Sequence, residues 1–422
     1  MKRLQDSITP YLRAPLAPEH RFASGLLAFM MLRWLMALLL VLDVLHLKGH
    51  VPPWYFHTGG DQQYYYRLAE ALARGQIATE IVGVGAPLVM VPFVWLVDAF
   101  HYRDIVAPLV VINGFLLGGL SIVLTGLIGK IYSGDERAGL LGAGLWLLAP
   151  VFFYGAVGFH PAAASLRGTG LPKIMWLTGI SDGPSIFAML VAVWLLGRAL
   201  ERRSLRAFFG AGLALGWAVM IRIQVSPIVA ALLGILVVAR VWRGLLWVCI
   251  GGLVGYFPQA VLNTVEFGIP FYTGYLRAND PTDISPTLRR PLSELRVSLR
   301  YSPSGFVQSV AHLRERLPFV VPLALVAGVA GIILLVVLWR RRGWLYAAIL
   351  LGVPLVNIAV HLALPFFALD PVRFTMLSYP YLFVAGAYFL FVLWDARPAR
   401  LFKTRRVEGA RRERPRDAGL IN

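Results

Sequence analysis

The side chains able to do chemistry in this chain are ionisable groups set beside long apolar segments: Asp61, Arg67, His160, Lys173, Asp182, Arg222, Arg277, Arg289, Arg290 and Arg373. The charge pattern described below puts all of them on one side of a membrane. Charges at a membrane edge are costly unless paired or used, so their gathering on one face points to a site for a charged substrate. Arginine dominates the group, against the usual bias of basic residues toward cytoplasmic loops. An anionic ligand accounts for the excess, although long loops follow that bias only weakly. No metal-ligand spacing, phosphate-cradling glycine loop or nucleophile motif accompanies them. The glycine run Gly251–Gly255 lies inside an apolar segment and reads as close helix packing.

Each candidate also has a plain structural reading. Asp61 follows Gly59 and Gly60 and opens a stretch in which Tyr65, Leu68, Ala69 and Leu72 recur at helical spacing until Gly75. This predicts a short amphipathic helix in the membrane interface, and Asp61 either caps it or does chemistry from its first position. Asp182-Gly183-Pro184 is a helix-start signal, which favours a structural role for Asp182. Arg222 ends an apolar span and either snorkels to water or, with Gln224 beside it, faces a ligand. Arg373 stands near Asp370, so a local ion pair competes with phosphate binding, and His160 before Pro161 reads as a turn residue. Tyr64, Tyr65, Tyr66 and Trp54 suit an interfacial belt.

The elements that must position these groups follow from composition. Of 422 residues, 58% are hydrophobic and 15% charged, which excludes an ordinary soluble domain and predicts an all-α polytopic membrane protein. The net charge of +18 lies in residues that punctuate apolar segments and fill a tail, so the membrane explains it and nucleic acid is not a partner. Cys249 is the single cysteine, leaving no intrachain disulfide or cysteine metal site. Basic marks at Lys130, Arg137, Arg202, Arg203, Arg206, Arg240, Arg243 and Arg340–Arg342 give about ten crossings with both termini inside. Their cores are 25–45, 105–128, 140–157, 184–200, 208–221, 225–239, 245–262, 320–338, 344–364 and 376–394. Ala86–Val97 holds two prolines and is too short to cross, so it is read as re-entrant or interfacial.

Residues 1–24 are then a cytoplasmic segment ahead of an uncleaved anchor, 25–394 a membrane domain, and 395–422 a basic cytoplasmic tail that touches anionic lipid. External loops 47–104, 158–183 and 263–317 form a non-cytoplasmic cap, with an interfacial helix expected at Pro291–Arg300.

The order of these motifs resembles the GT-C superfamily of polytopic glycosyltransferases. The resemblance rests on Asp61-Gln62-Gln63-Tyr64-Tyr65-Tyr66 in the first external loop, Gly85-Ala86-Pro87-Leu88 after it, and Ser181-Asp182-Gly183-Pro184 opening a later span. Gly212–Gly216 leading to Arg222-Ile223-Gln224, and Arg373-Phe374 before Tyr379-Pro380, complete it. The chain is most similar to the bacterial branches resembling protein O-mannosyltransferases and lipid A aminoarabinose transferases. Those often carry two adjacent acids in the first loop, where this chain has Asp61 followed by Gln62 and Gln63. The resemblance implies inverting sugar transfer from a polyprenyl-phosphate donor to a lipid, glycan or protein acceptor on the non-cytoplasmic face. It also implies Asp61 as general base, and Lys173, Arg222 and Arg373 as cations that hold the leaving phosphate without a metal or other cofactor. His57, Gln62, Asp182 and Gln224 complete the expected substrate site. An Arg-rich, Lys-poor composition suggests a bacterial inner membrane with the site facing the periplasm. The competing class is a transporter or lipid flippase, which would favour buried midplane acids and an inverted repeat, neither of which is visible.

Overall fold

The structure, a computed structural model, describes residues 18–42, 61–77, 82–158, 175–179, 181–271, 303–316, 320–363 and 371–395. Among them every regular element is helical, as expected where lipid offers the backbone no hydrogen-bond partner. The helices are α1 (Pro18–Val41), α2 (Asp61–Ala73), α3 (Gly85–Leu96), α4 (Tyr102–Ser133), α5 (Glu136–Gly158), α6 (Asp182–Arg202), α7 (Leu205–Ile221) and α8 (Ser226–Val238). They continue as α9 (Trp242–Phe267), α10 (Pro303–Arg316), α11 (Val320–Arg342), α12 (Trp344–Leu362), α13 (Pro371–Thr375) and α14 (Tyr379–Asp395).

Each expected crossing falls on a helix. Seven helices among the described residues are long and apolar enough to cross a membrane: α1, α4, α5, α6, α9, α12 and the Arg373–Asp395 run. The chain is therefore a multi-pass membrane protein, and for α7, α8 and α11 crossing stays an expectation. At 12 residues, α3 reaches about 18 Å, well short of the ~30 Å hydrocarbon core. The expected helix at Pro291–Arg300 lies outside the described residues, while α10 forms within the same long connection.

The two ends of the bundle carry different chemistry. Arg342 donates to Glu201 at 3.2 Å and to the Ile131 carbonyl, while Arg137 bridges Asp135 at 2.8 Å and Asp395 at 2.9 Å. These contacts join the ends of α4, α5, α6, α11 and α14 that the basic marks assign to the cytoplasm. Asp182, Arg222 and Arg373 meet at the opposite ends of their elements.

Helix α6 lies at the centre, with Met189, Leu190 and Val193 wholly buried. Its start is fixed by the short segment 175–179, in which Trp176 is buried at a left-handed φ of 62° and packs against Trp146 with ring centroids 6.4 Å apart. Gly183 leaves room for that indole: a Cβ there would stand 2.8 Å from Trp176 Cγ. In α4, the turns over Val110–Leu117 widen to π-helical spacing, and Trp34 of α1 donates its Nε1–H to the Phe115 carbonyl at 2.7 Å. Arg33, which the charge pattern did not single out, is wholly buried in α1 with its guanidinium 6.0 Å from the Trp146 ring. An intramembrane cation is expected to face the bundle interior, as this one does.

The glycine run was read as close packing, and it is. In α7 a Cβ at Gly216 would fall 2.2 Å from the Gly252 carbonyl oxygen, and in α9 one at Gly251 would fall 2.1 Å from that of Phe209. Backbone meets backbone along this seam, so neither helix can retreat locally. Gly216→Val and Gly251→Val should therefore abolish the folded, monodisperse protein in detergent. Gly234→Ala in α8, where an added Cβ meets nothing within 4 Å, should leave it intact, with a thermal midpoint equal to or slightly above wild type because alanine favours helix by up to about 1 kcal/mol. Size-exclusion profiles and thermal unfolding of the purified proteins check both.

Candidate functional site

Helix α6 begins at Asp182 as its sequence predicts, with Pro184 in the first turn, but the carboxylate does not serve as a cap. Ser181 occupies the N-cap position without a side-chain cap bond. Its hydroxyl instead accepts from the Tyr65 hydroxyl at 2.7 Å, which ties α2 to α6 one helical turn after Asp61. Asp182 is 2% exposed, and each of its oxygens accepts from a different arginine. Arg373 Nε donates to Oδ2 at 2.9 Å, and Arg222 Nη1 donates to Oδ1.

Local structure explains how both arginines arrive. Helix α7 ends at Ile221, and Arg222 turns extended at φ −142°, ψ 109°, which swings its side chain out of the helical path toward α6. Arg373 sits in the short helix α13, just before the Met376–Ser378 turn that leads into α14, with its guanidinium 5.9 Å from the Phe374 ring. A buried carboxylate alone would be penalised by several kcal/mol, and two charge-assisted bonds offset that penalty. The alternative of a snorkelling Arg222 gives way to this shared carboxylate, while Asp370, the other carboxylate considered for Arg373, lies outside the described residues.

The three residues line a pocket with Ser185, Gln224, Asn357, His361 and Phe374. Among the described lining residues, two guanidiniums face one carboxylate. Its interior admits about 20 Å³ of water-sized space, room for one small group such as an oxygen of a larger ligand. Asn357 Nδ2 donates to Ser378 Oγ at 2.9 Å, and His361 Nδ1 lies 2.8 Å from the Asn357 carbonyl oxygen. This joins α12 to the turn before α14. The pocket thus draws on α6, the α7–α8 turn, α12 and the α13–α14 approach, elements far apart in the chain.

Of the residues expected at the site, Asp182, Arg222, Gln224 and Arg373 are brought together. Gln62 is buried in α2, and its amide oxygen has no hydrogen-bond partner. Asp61 is the first residue of α2, and its side chain lies outside what the structure describes. Lys173, His57, His160, Arg277, Arg289 and Arg290 also lie outside the described residues. Arg67 is exposed on α2. Among the described residues no group of three His, Cys, Asp or Glu side chains is placed to hold a metal ion. Asn357 and His361 were missed, though a signal existed: two polar residues at i and i+4 share one face of an otherwise apolar span.

Comparison with known proteins agrees with this architecture. Residues 162–260, about a quarter of the chain and including Asp182 and Arg222, match the family described as dolichyl-phosphate-mannose-protein mannosyltransferase. The chain superposes on the archaeal oligosaccharyltransferase AglB from Archaeoglobus fulgidus, solved with an inhibitory peptide and a dolichol-phosphate. The TM-score is 0.53 at 16% identity, over 96% of this chain and 53% of that one. The apo form of the Archaeoglobus fulgidus oligosaccharyltransferase gives the same score and identity over 93% and 52%. The chain therefore spans about half the length of the solved structures it matches. No curated protein sequence matches it. At this identity the likeness establishes the fold alone.

The paired arginines depend on their shared carboxylate. Asp182→Asn removes the charge that holds two guanidiniums which are 13% and 19% exposed. It should destabilise the protein by about 2–4 kcal/mol, toward the lower end because both cations keep some access to water. Thermal or denaturant unfolding in detergent reads this out, and a stability equal to wild type would show that the ion pairs contribute nothing net.

Proposed function

We propose that this chain, which has the GT-C fold of polytopic membrane glycosyltransferases, moves a sugar from a polyprenyl-phosphate donor to a hydroxyl acceptor on the non-cytoplasmic face. The observation that carries the reading is the convergence of the Arg222 and Arg373 guanidiniums around Asp182 in one pocket. A phosphate requires convergent, preorganised donors, and guanidiniums supply them in the geometry that phosphate oxygens accept. The family matched over 162–260 is named for a dolichyl-phosphate-linked sugar, and the superposed AglB was solved with a dolichol-phosphate. Both support a lipid-phosphate donor for this chain as well.

In the proposed reaction the acceptor oxygen attacks the anomeric carbon from the face opposite the phosphate. Its proton passes to the Asp61 carboxylate, the new carbon–oxygen bond forms, and the bond to the phosphate oxygen breaks with its electron pair. Inversion follows from this geometry. Negative charge grows on the departing phosphate oxygen, and Arg222 and Arg373 hold it there, which lowers the barrier because they are already oriented. Asp182 is a positioning residue that keeps both guanidiniums aimed before substrate arrives. Lys173, Gln224, Gln62 and His57 are proposed to complete the substrate site, and the bilayer keeps the polyprenyl tail in lipid beside it.

The proposed compartment is a bacterial inner membrane with the pocket toward the periplasm, the cap built from loops 47–104, 158–183 and 263–317. The tail 395–422 would then lie against anionic lipid on the opposite face.

The base assignment has a direct test. Asparagine caps a helix about as well as aspartate but takes no proton, so Asp61→Asn should keep folded protein abundant while sugar transfer from radiolabelled polyprenyl-phosphate sugars falls at least about 100-fold. Transfer equal to wild type would make Asp61 a cap alone. If the wild-type protein transfers nothing from a broad donor panel, the transporter class takes precedence.

A further inference from the structure

The pocket holds two buried polar atoms that the proposed chemistry does not use. His361 is 4% exposed, and its Nε2 has no hydrogen-bond partner among the described residues. Ser185, one turn into α6, is fully enclosed, and its hydroxyl is likewise without a partner. Both line the same small space as Arg222 and Arg373. Leaving such groups unsatisfied is costly, so a buried pair lining one space suggests a ligand group that meets them.

The hydrogen bonding of His361 specifies what that group is. Its Nδ1 lies 2.8 Å from the Asn357 carbonyl oxygen, and a carbonyl only accepts, so Nδ1 carries a proton. In the neutral ring that leaves Nε2 as an acceptor. The ring is held in this orientation by stacking on Phe374, with centroids 5.6 Å apart. The two arginines offer only donors, which suits phosphate oxygens. The oxygens of Asp182 already accept from those arginines. An unpartnered acceptor beside an unpartnered hydroxyl instead suits a group that both donates and accepts, which is a hydroxyl.

We propose that His361 Nε2 and Ser185 Oγ bind a hydroxyl of the donor's sugar, which donates to the histidine and accepts from the serine. The assignment rests on the reading of this pocket as the donor's phosphate site. It makes His361 and Ser185 sugar-recognition residues at the junction of phosphate and sugar. It also distinguishes a sugar-bearing lipid phosphate from the bare lipid phosphate left after transfer.

The test compares affinities of the purified full-length protein, in nanodiscs, for mannosyl, glucosyl and aminoarabinosyl polyprenyl phosphates and for the bare polyprenyl phosphate. His361→Phe keeps the ring and removes the acceptor, and His361→Gln places an amide near Nε2. Ser185→Ala removes a single oxygen and serves if the histidine variants do not fold. The ratio of affinity for the tightest-binding sugar lipid to that for the bare lipid should fall about fivefold in His361→Phe and in Ser185→Ala. His361→Gln should restore most of it. A ratio unchanged in these variants, whether both affinities fall together or neither moves, overturns the proposal, because Nε2 would then meet phosphate or water. A wild-type protein that binds the bare lipid but no sugar lipid overturns the sugar-hydroxyl assignment alone. Binding of neither lipid by wild type overturns the donor-site reading beneath it.

Discussion

The Asp182 carboxylate is the point on which the outer end of this bundle depends. It is nearly inaccessible, it begins the central helix, and it accepts from arginines that come from 40 and 191 residues further along the chain. A buried carboxylate in that position is stabilised by both guanidiniums, and its charge helps to aim them. Three elements are thereby locked to one another: the start of α6, the turn between α7 and α8, and the approach to α14. The same interaction gathers two guanidiniums in one pocket. In the proposed function, stability and anion affinity come from one set of contacts.

Much of the remaining bundle holds that point in place. Backbone-to-backbone packing of α7 on α9 at Gly212, Gly216, Gly251 and Gly255 fixes the end of α7, and so the place where Arg222 leaves the helix. The buried segment 175–179, with Trp176 against Trp146, fixes where α6 begins. Tyr65 reaches Ser181 from α2 and connects the helix opened by Asp61 to the same junction. At the opposite end, Arg342, Glu201, Arg137 and Asp395 tie helix ends together on the side that carries the basic loops. Rigid elements with short ties position a site more narrowly than loops can.

The sequence was most informative where one local rule governed. Apolar length and basic punctuation located the helices, Asp182-Gly183-Pro184 marked the start of α6, and Tyr65, Leu68 and Ala69 at helical spacing marked the buried face of α2. The run Gly251–Gly255 correctly indicated close packing. What could not be read was pairing at a distance. Asp182 looked like a helix-start residue because nothing near it in the chain shows that Arg222 and Arg373 converge on it. Arg373 has Asp370 as a nearer carboxylate in sequence, and nothing in the sequence shows that Arg373 also reaches Asp182. Asn357 and His361 were legible in principle as polar residues one turn apart in an apolar helix, yet their partner, the turn at Ser378, is set by how α12 meets α14. The buried Arg33 was hidden for the same reason, since periodicity in so apolar a span does not reveal which side faces protein.

The measurement that tests the central claim most directly is a structure of the protein with a short-chain polyprenyl phosphate bound, in which the phosphate is located. The account predicts phosphate oxygens about 3 Å from the guanidiniums of both Arg222 and Arg373, with the Asp182 contacts retained. A phosphate bound elsewhere, with the pocket between α6, α12 and α13 unchanged from the free protein, would contradict it.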